Sequence, residues 1–263
     1  MSTTFFEAAK EAGGVAPLVE LLKAGAQTEA AEHATAVLGN MAFNAANKDA
    51  IREAGGVAPL VELLKAGAQS KAAEHAAAVL VNMVDVNAAN RDAIREAGGV
   101  APLVELLKAG AQSNAADYAA AALGNMAFLH AANQDAIRVA GGVAPLVELL
   151  KAGAQTAAAE NAAAALWIMA GDNAANRDAI RAAGGVAPLV ELLKAGAQSK
   201  AAEHAEAALR IMAEASAAAL LHEEEEARTA QAACSQKRKE KKKKKKEQKK
   251  YTSDVPDLTG TSL

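Results

Sequence analysis

Cysteine is almost missing from this sequence, which holds a single one, Cys234. One thiol cannot form a disulfide within the chain, and it excludes both a cysteine metal cluster and a Cys-x-x-Cys redox pair. Chains without a disulfide framework are typical of reducing compartments. We therefore expect the protein in the cytoplasm, with the nucleus as the alternative.

Aromatic side chains and long apolar runs are also scarce. Only 3% of the residues are aromatic although 52% are hydrophobic, and alanine makes up the difference. Alanine-rich helices bury little area each, so a stable fold has to add up many similar interfaces. No stretch reaches the roughly 20 apolar residues of a membrane-spanning helix, and residues 1–6 lack the basic and apolar segments of a secretory signal. We therefore expect a soluble protein without a transmembrane segment.

What the sequence does contain is a phrase of 15 residues that recurs intact five times: Gly-Gly-Val-Ala-Pro-Leu-Val-Glu-Leu-Leu-Lys-Ala-Gly-Ala-Gln. Its copies begin at Gly13, Gly55, Gly98, Gly141 and Gly184, so the spacings are 42, 43, 43 and 43 residues. A period of this length is typical of stacked two- or three-helix units that cannot bury their apolar faces alone. The period predicts an all-α repeat fold.

Each period reads as three helices. Asn90 to Ala97 forms the first, with Asn90 as N-cap and Asp92 in the first turn, and Gly98-Gly99 ends it. Pro102 fits the opening turn of the second, where its missing N–H costs nothing. The apolar face of that second helix consists of Val100, Leu103, Val104, Leu106 and Leu107. We expect this face to lie in the core.

The third helix of the period is longer and runs from Asn114 to about Ala127, with Ser113 as its N-cap. Equivalent caps in the other periods are Thr28, Ser70, Thr156 and Ser199. No alternating strand pattern occurs.

Three helices per period, a Gly-Gly pair after the first, a proline in the second and an asparagine near the end of the third together resemble the armadillo repeat. The resemblance extends over roughly residues 7–215, and the sequence is similar to plant, algal and vacuolar armadillo proteins. It implies a right-handed α-solenoid of about five armadillo repeats, period 42–43, over residues 1–215, with an abbreviated first repeat. We expect residues 216–236 to form a C-terminal capping helix and residues 237–263 a basic, disordered tail.

In the armadillo family the third helices line a concave groove, and an asparagine on each holds the main chain of an extended peptide. The resemblance assigns this role to Asn40, Asn82 and Asn125, whose carboxamides offer both a donor and an acceptor. One turn earlier stand alanines, where importin-α-like members carry tryptophan. Two turns earlier, the positions expected to set specificity are His33, His75, Tyr118, Asn161 and His204. The alternative is structural, with the asparagines only capping loops between repeats.

The last two repeats depart from this pattern, because Ile168 and Ile211 stand where the asparagine is expected. Trp167 precedes the first of them and is either an exposed anchor for a partner or a core residue. Phe43 and Phe128, one turn after the asparagines, leave the same two interpretations open. We expect the C-terminal half of the groove to be the more apolar half.

Neither a catalytic set nor a cofactor motif is present, since the glycine pairs end helices and form no phosphate-binding fingerprint. Glu32 and His33 are neighbours, as are similar pairs in other periods. Adjacent helical residues point about 100° apart, so one such pair cannot converge on a metal ion. We expect a non-enzymatic protein that needs neither cofactor nor metal.

The charge distribution singles out the C-terminal end. Residues 223–263 carry 12 basic and 8 acidic side chains, and residues 1–222 carry 16 basic and 23 acidic ones. The block from Lys237 to Lys250 reads as a solvated spacer, a nuclear localisation signal, or a contact for nucleic acid or anionic membrane.

The functional prediction is a monomeric scaffold or adaptor that binds an extended segment of another protein in the groove. The alternative is a nuclear transport or nucleus-targeted adaptor that uses the lysine-rich tail.

Overall fold

The computed structural model describes residues 13–25, 28–171, 173–195 and 199–218. The chain divides into two compact units, Met1–Met212 and Ala213–Leu263. Of the second unit, residues 213–218 are described, and they are helical. The stacked repeats belong to the first unit.

The helices of the first unit follow the predicted period. The first repeat contributes α1 (Val15–Leu22) and α2 (Glu29–Met41), and the second contributes α3 (Ala45–Glu53), α4 (Val57–Leu64) and α5 (Lys71–Val84). The third repeat contains α6 (Ala88–Glu96), α7 (Val100–Leu107) and α8 (Asn114–Ala127), and the fourth contains α9 (Ala131–Val139), α10 (Val143–Leu150) and α11 (Ala157–Ala170). In the fifth, α12 (Ala174–Ala182) and α13 (Val186–Ala195) precede helical residues 200–212. The all-α solenoid of about five repeats is confirmed.

The second helices supply the large core side chains and the third helices supply close packing. In α7 all five predicted apolar residues are buried, and Pro102 is its third residue, inside the first turn. Successive third helices, α2, α5, α8 and α11, pack directly on one another through buried alanines and leucines. Small side chains allow these helices to lie close, so the third helices form one continuous layer.

The Gly98-Gly99 pair ends the first helix as predicted. Gly98 has φ +77 and donates its N–H to the Arg95 carbonyl, while Gly99 donates to the Ile94 carbonyl at 2.9 Å. This is the Schellman arrangement, in which the residue after the cap is left-handed and favours glycine.

The cap of that first helix differs from the prediction. α6 begins at Ala88, and its N-cap is Asn87, whose side chain accepts from the backbone N–H of Asn90. Asn90 is itself helical and fully buried. The predictions that Asn90 is the N-cap and that Asp92 lies in the first turn are therefore wrong. Asn87 has the extended backbone that a capping residue requires, and it lies three positions before Asn90.

Buried asparagines instead connect the third helix of one repeat to the first helix of the next. Nδ2 of Asn90 donates to the Met83 carbonyl at the end of α5, at 2.9 Å, and its Oδ1 accepts from Arg52 of the preceding repeat, also at 2.9 Å. Asn47 and Asn133 make the same donation to the carbonyls of Met41 and Met126. These side chains donate to carbonyls in the last turn of a helix, where a carbonyl has no partner within the helix itself.

The predicted caps of the third helices stand at the predicted positions. The side chains of Thr28, Ser70, Thr156 and Ser199 each accept a backbone N–H three residues later. Ser113 is the N-cap residue of α8 but its side chain makes no capping hydrogen bond.

Val86, in the loop after α5, has an unfavourable backbone conformation. Its φ is +50, although its side chain is β-branched, and it is 89% exposed. Because the exposed side chain gains little from burial, we expect Val86→Asn to raise the free energy of unfolding by about 1 kcal/mol. Guanidinium chloride unfolding followed by circular dichroism would measure this change. Val139→Asn, at the 77% exposed last residue of α9, is the control and should change stability little. Equal effects at both positions would contradict the explanation.

Candidate functional site

The candidate site is the third-helix surface, defined here as the solvent-facing positions of α2, α5, α8 and α11 and of residues 200–212. It carries the predicted asparagine positions and the positions one and two turns before them. Asn40 and His33 are exposed, and the other predicted residues are half-buried: His75, Asn82, Tyr118, Asn125, Asn161, Trp167, Ile168 and His204. Each predicted residue is thus at least partly exposed to solvent.

An open pocket of about 320 Å³ lies on this surface between α2 and α5. It brings together four predicted residues, Asn40, His75, Asn82 and Tyr118. The remainder of its lining is Thr35, Ala36, Gly39, Phe43, Ala78 and Val81. The lining is therefore mostly apolar, includes amide, hydroxyl and imidazole polar atoms, and contains no carboxylate or ammonium group.

The three predicted asparagines do not have equal surroundings. Asn82 donates its Nδ2 to the Gly39 carbonyl of the preceding repeat at 3.2 Å, so part of its carboxamide serves the packing of repeats. No hydrogen bond joins the side chains of Asn40 and Asn125 to other described residues. Their donors and acceptors remain available to a ligand.

The fourth and fifth repeats form a different surface. The indole of Trp167 stacks on the imidazole of His204, with ring centroids 5.5 Å apart and planes 12° from parallel. Trp167 and Ile168 are half-buried and pack against the core. Trp167 is therefore neither fully buried nor fully exposed, and its role as an anchor for a partner stays a prediction.

Hydrogen bonds between polar side chains join neighbouring third helices near their N-terminal ends, next to His75 and Tyr118. Asn114 donates to Glu74 Oε1 at 3.1 Å, and Asn161 donates to Asp117 Oδ1 at 2.6 Å in the neighbouring repeat. Partial burial raises the pKa of Glu74, but hydrogen bonds from Lys71 and Asn114 more than offset it, and the pKa lies below the usual value. Asn161, a predicted ligand contact, thus also links two repeats.

Several residues of the pocket were not predicted as site residues. Gly39 and Val81 occupy the position directly before the asparagine, where local sequence indicates only a helix interior. Phe43 is 75% exposed and Phe128 is 45% exposed, which favours the solvent-facing interpretation for both. For Phe43, which lines the pocket, the signal available in the sequence was an aromatic residue one turn after Asn40.

Three other predictions concern metal binding, membrane spanning and the lysine block. The described residues contain no group of three or more His, Cys, Asp or Glu side chains placed to hold a metal ion. Within the same residues, no helix has the length and apolar character that crossing a membrane requires. The lysine block from Lys237 to Lys250 lies outside the described residues.

Comparison with known proteins gives a family for this architecture. The family model of the armadillo/β-catenin-like repeat matches residues 44–85 and 87–128. No curated protein sequence matches the chain.

Solved structures match most of the chain. An engineered protein is 34% identical, with 81% of this chain and 85% of the other covered at a TM-score of 0.74. A computationally designed armadillo repeat protein for modular peptide recognition is 30% identical, with 78% and 85% covered at 0.70. Another designed armadillo repeat protein, in complex with the peptide (KR)4, is 28% identical, with 79% and 85% covered at 0.69. Since the helical period, the family model and an armadillo relative matched over most of its length all agree, this chain belongs to the armadillo repeat family.

Proposed function

We propose that this chain is a non-enzymatic scaffold that binds an extended peptide segment of a partner protein along its third-helix surface. The observation that carries the proposal is the pocket between α2 and α5, which gathers Asn40, His75, Asn82 and Tyr118 at one solvent-accessible place. Similarity to armadillo repeat proteins designed for peptide recognition supports the same function.

The chemistry of the surface suits a main chain in extended conformation. Asn40 and Asn125 each present a carboxamide that can accept a peptide N–H and donate to a peptide carbonyl. A peptide bound in this way needs no particular side chain at those points, since its backbone supplies the hydrogen-bonding groups. Selectivity then has to come from the pockets between the asparagines.

The test begins with random peptides, long enough to span the third-helix surface, displayed and selected on the full chain. The affinity of a selected peptide is then measured by fluorescence anisotropy. Asn40→Ala/Asn125→Ala should weaken binding about ten- to thirtyfold, because each asparagine loses its hydrogen bonds to the peptide, a net contribution of about 1 kcal/mol per residue. These two asparagines are preferable to Asn82, whose replacement also removes the bond to Gly39.

The matched control is Gln69→Ala/Gln112→Ala, which removes two exposed carboxamides from the turns before α5 and α8. It should leave the affinity unchanged. An equal loss of affinity in both double variants, or no loss in either, would contradict the role of the two asparagines in peptide binding. Failure to select any peptide would sink the proposed function itself.

A further inference from the structure

Gly39 and Trp167 occupy the same position in their repeats, and this equivalence is informative about the pocket. Gly39 lies 11 residues after its capping residue Thr28, and Trp167 lies 11 residues after Thr156. In the same way His75 and His204 each lie five residues after a capping serine. The pair Gly39 and His75 between the first two repeats thus corresponds to the pair Trp167 and His204 between the last two.

The two pairs differ in one respect, which is the presence of an aromatic ring. Between the fourth and fifth repeats the indole of Trp167 covers the imidazole of His204. Between the first and second repeats no side chain extends from Gly39, and the space next to His75 is the open pocket. A Cβ added at Gly39 would meet one atom within 4 Å, Cγ2 of Val79 at 3.4 Å, so the space above it is largely empty.

The two histidines also have similar surroundings. In both, Nδ1 is buried and has no hydrogen-bond partner among the described residues. A ring that stacks on the imidazole face makes no demand on that nitrogen, so the unpartnered Nδ1 of His75 is no obstacle to the stacking seen on His204.

The charge of the lining selects among ligand side chains. The pocket lining contains no aspartate or glutamate that would pair with a bound lysine or arginine. Most of its lining is apolar, and the amides of Asn40 and Asn82 are among the polar groups of that lining. A ring with one apolar end and one polar end matches this arrangement, and tyrosine and tryptophan have that character.

We propose that the pocket takes an aromatic side chain of the bound peptide, stacked on His75 in the space above Gly39, as Trp167 is stacked on His204. This inference rests on the proposed function and adds the ligand's anchor residue. It assigns recognition to the first two repeats, while in the fourth and fifth the chain's own tryptophan fills the equivalent space.

The test uses the same displayed random peptides, selected in parallel on the full chain and on its Gly39→Trp variant. We expect the unmodified chain to enrich tyrosine, tryptophan or phenylalanine at one fixed position, and the variant to lose that enrichment. With a selected peptide, replacing the aromatic residue by lysine should weaken binding about tenfold or more. His75→Ala, which enlarges the pocket where Gly39→Trp fills it, should also weaken binding, and circular dichroism checks that both variants remain helical.

The outcomes separate this inference from the proposed function. Selected peptides that depend on Asn40 and Asn125 but bind the Gly39→Trp variant equally well would overturn the aromatic anchor and leave the peptide-binding function standing. Enrichment of lysine or arginine at the fixed position, or tighter binding of (KR)4 than of any aromatic peptide, would also overturn it. Selection of no peptide would overturn both.

Discussion

Replacing Asn90 with alanine is expected to lower the free energy of unfolding by about 3 kcal/mol. The side chain is fully buried and makes two hydrogen bonds, one to the Met83 carbonyl and one from the guanidinium of Arg52. Alanine removes both, and the Met83 carbonyl loses its side-chain donor. A bond to a charged group contributes about 1.5–3 kcal/mol and an unmade buried bond costs about 1–3 kcal/mol, so the combined loss is large.

Asn133→Ala is the matched control for this prediction. Asn133 makes the same bond to the Met126 carbonyl at 2.9 Å, but its Oδ1 has no partner among the described residues. Its replacement should therefore cost less than that of Asn90, and the difference measures the bond from Arg52. Guanidinium chloride unfolding of the two variants, followed by circular dichroism, gives both values. Equal losses would show that the Arg52 bond contributes nothing to stability.

Gly99→Val is the second substitution with a large expected effect, about 3 kcal/mol of lost stability. Gly99 is buried and has φ −69, which any residue can adopt. A Cβ at this position would lie 2.7 Å from Ile94 Cγ2 and 3.1 Å from Val61 Cγ2 of the preceding repeat. The glycine is thus required by close packing both against Ile94 of its own repeat and against Val61 of the preceding one, and a branched valine disrupts both contacts.

Gly98 provides the contrast, because it is exposed and a Cβ there would meet nothing within 4 Å. Its φ of +77 is the constraint, and asparagine tolerates such values better than other residues. Gly98→Asn should therefore cost well under 1 kcal/mol, whereas Gly99→Asn should be severe. Unfolding monitored by Trp167 fluorescence and by circular dichroism would test both. A Gly98 variant as unstable as the Gly99 variant would refute this division of roles.

Most of the fold could be predicted from the sequence because of the repeat period. Leu103, Val104 and Leu107 could be assigned to the core because apolar residues at helical spacing recur in five copies of one phrase. Pro102 and Gly98 are correctly placed because each has a local backbone requirement. Such requirements depend on near neighbours in the chain, which a single sequence displays.

Contacts between repeats were harder to predict. Asn87 and Asn90 look alike as capping residues, and only the packing of α5 against α6 makes one a cap and the other a buried donor. The stack of Trp167 on His204 joins residues of successive repeats, and no local pattern indicates it. The pocket beside Gly39 is likewise defined by what lies across from it in the next repeat.

The second helices raise a question about assembly order. In the last four copies of the phrase, the second glycine packs in the same way against an isoleucine of the first helix and a valine of the preceding copy. These glycines are Gly56, Gly99, Gly142 and Gly185. During folding a second helix can therefore dock on the wrong neighbour, leaving one repeat looped out, with each local contact still satisfied. Correct pairing has to be decided elsewhere, and the third helices are the segments whose sequences differ most. Shuffling α2, α5, α8 and α11 among the repeats should thus lower the refolding rate constant by a larger factor than it lowers the equilibrium constant for folding.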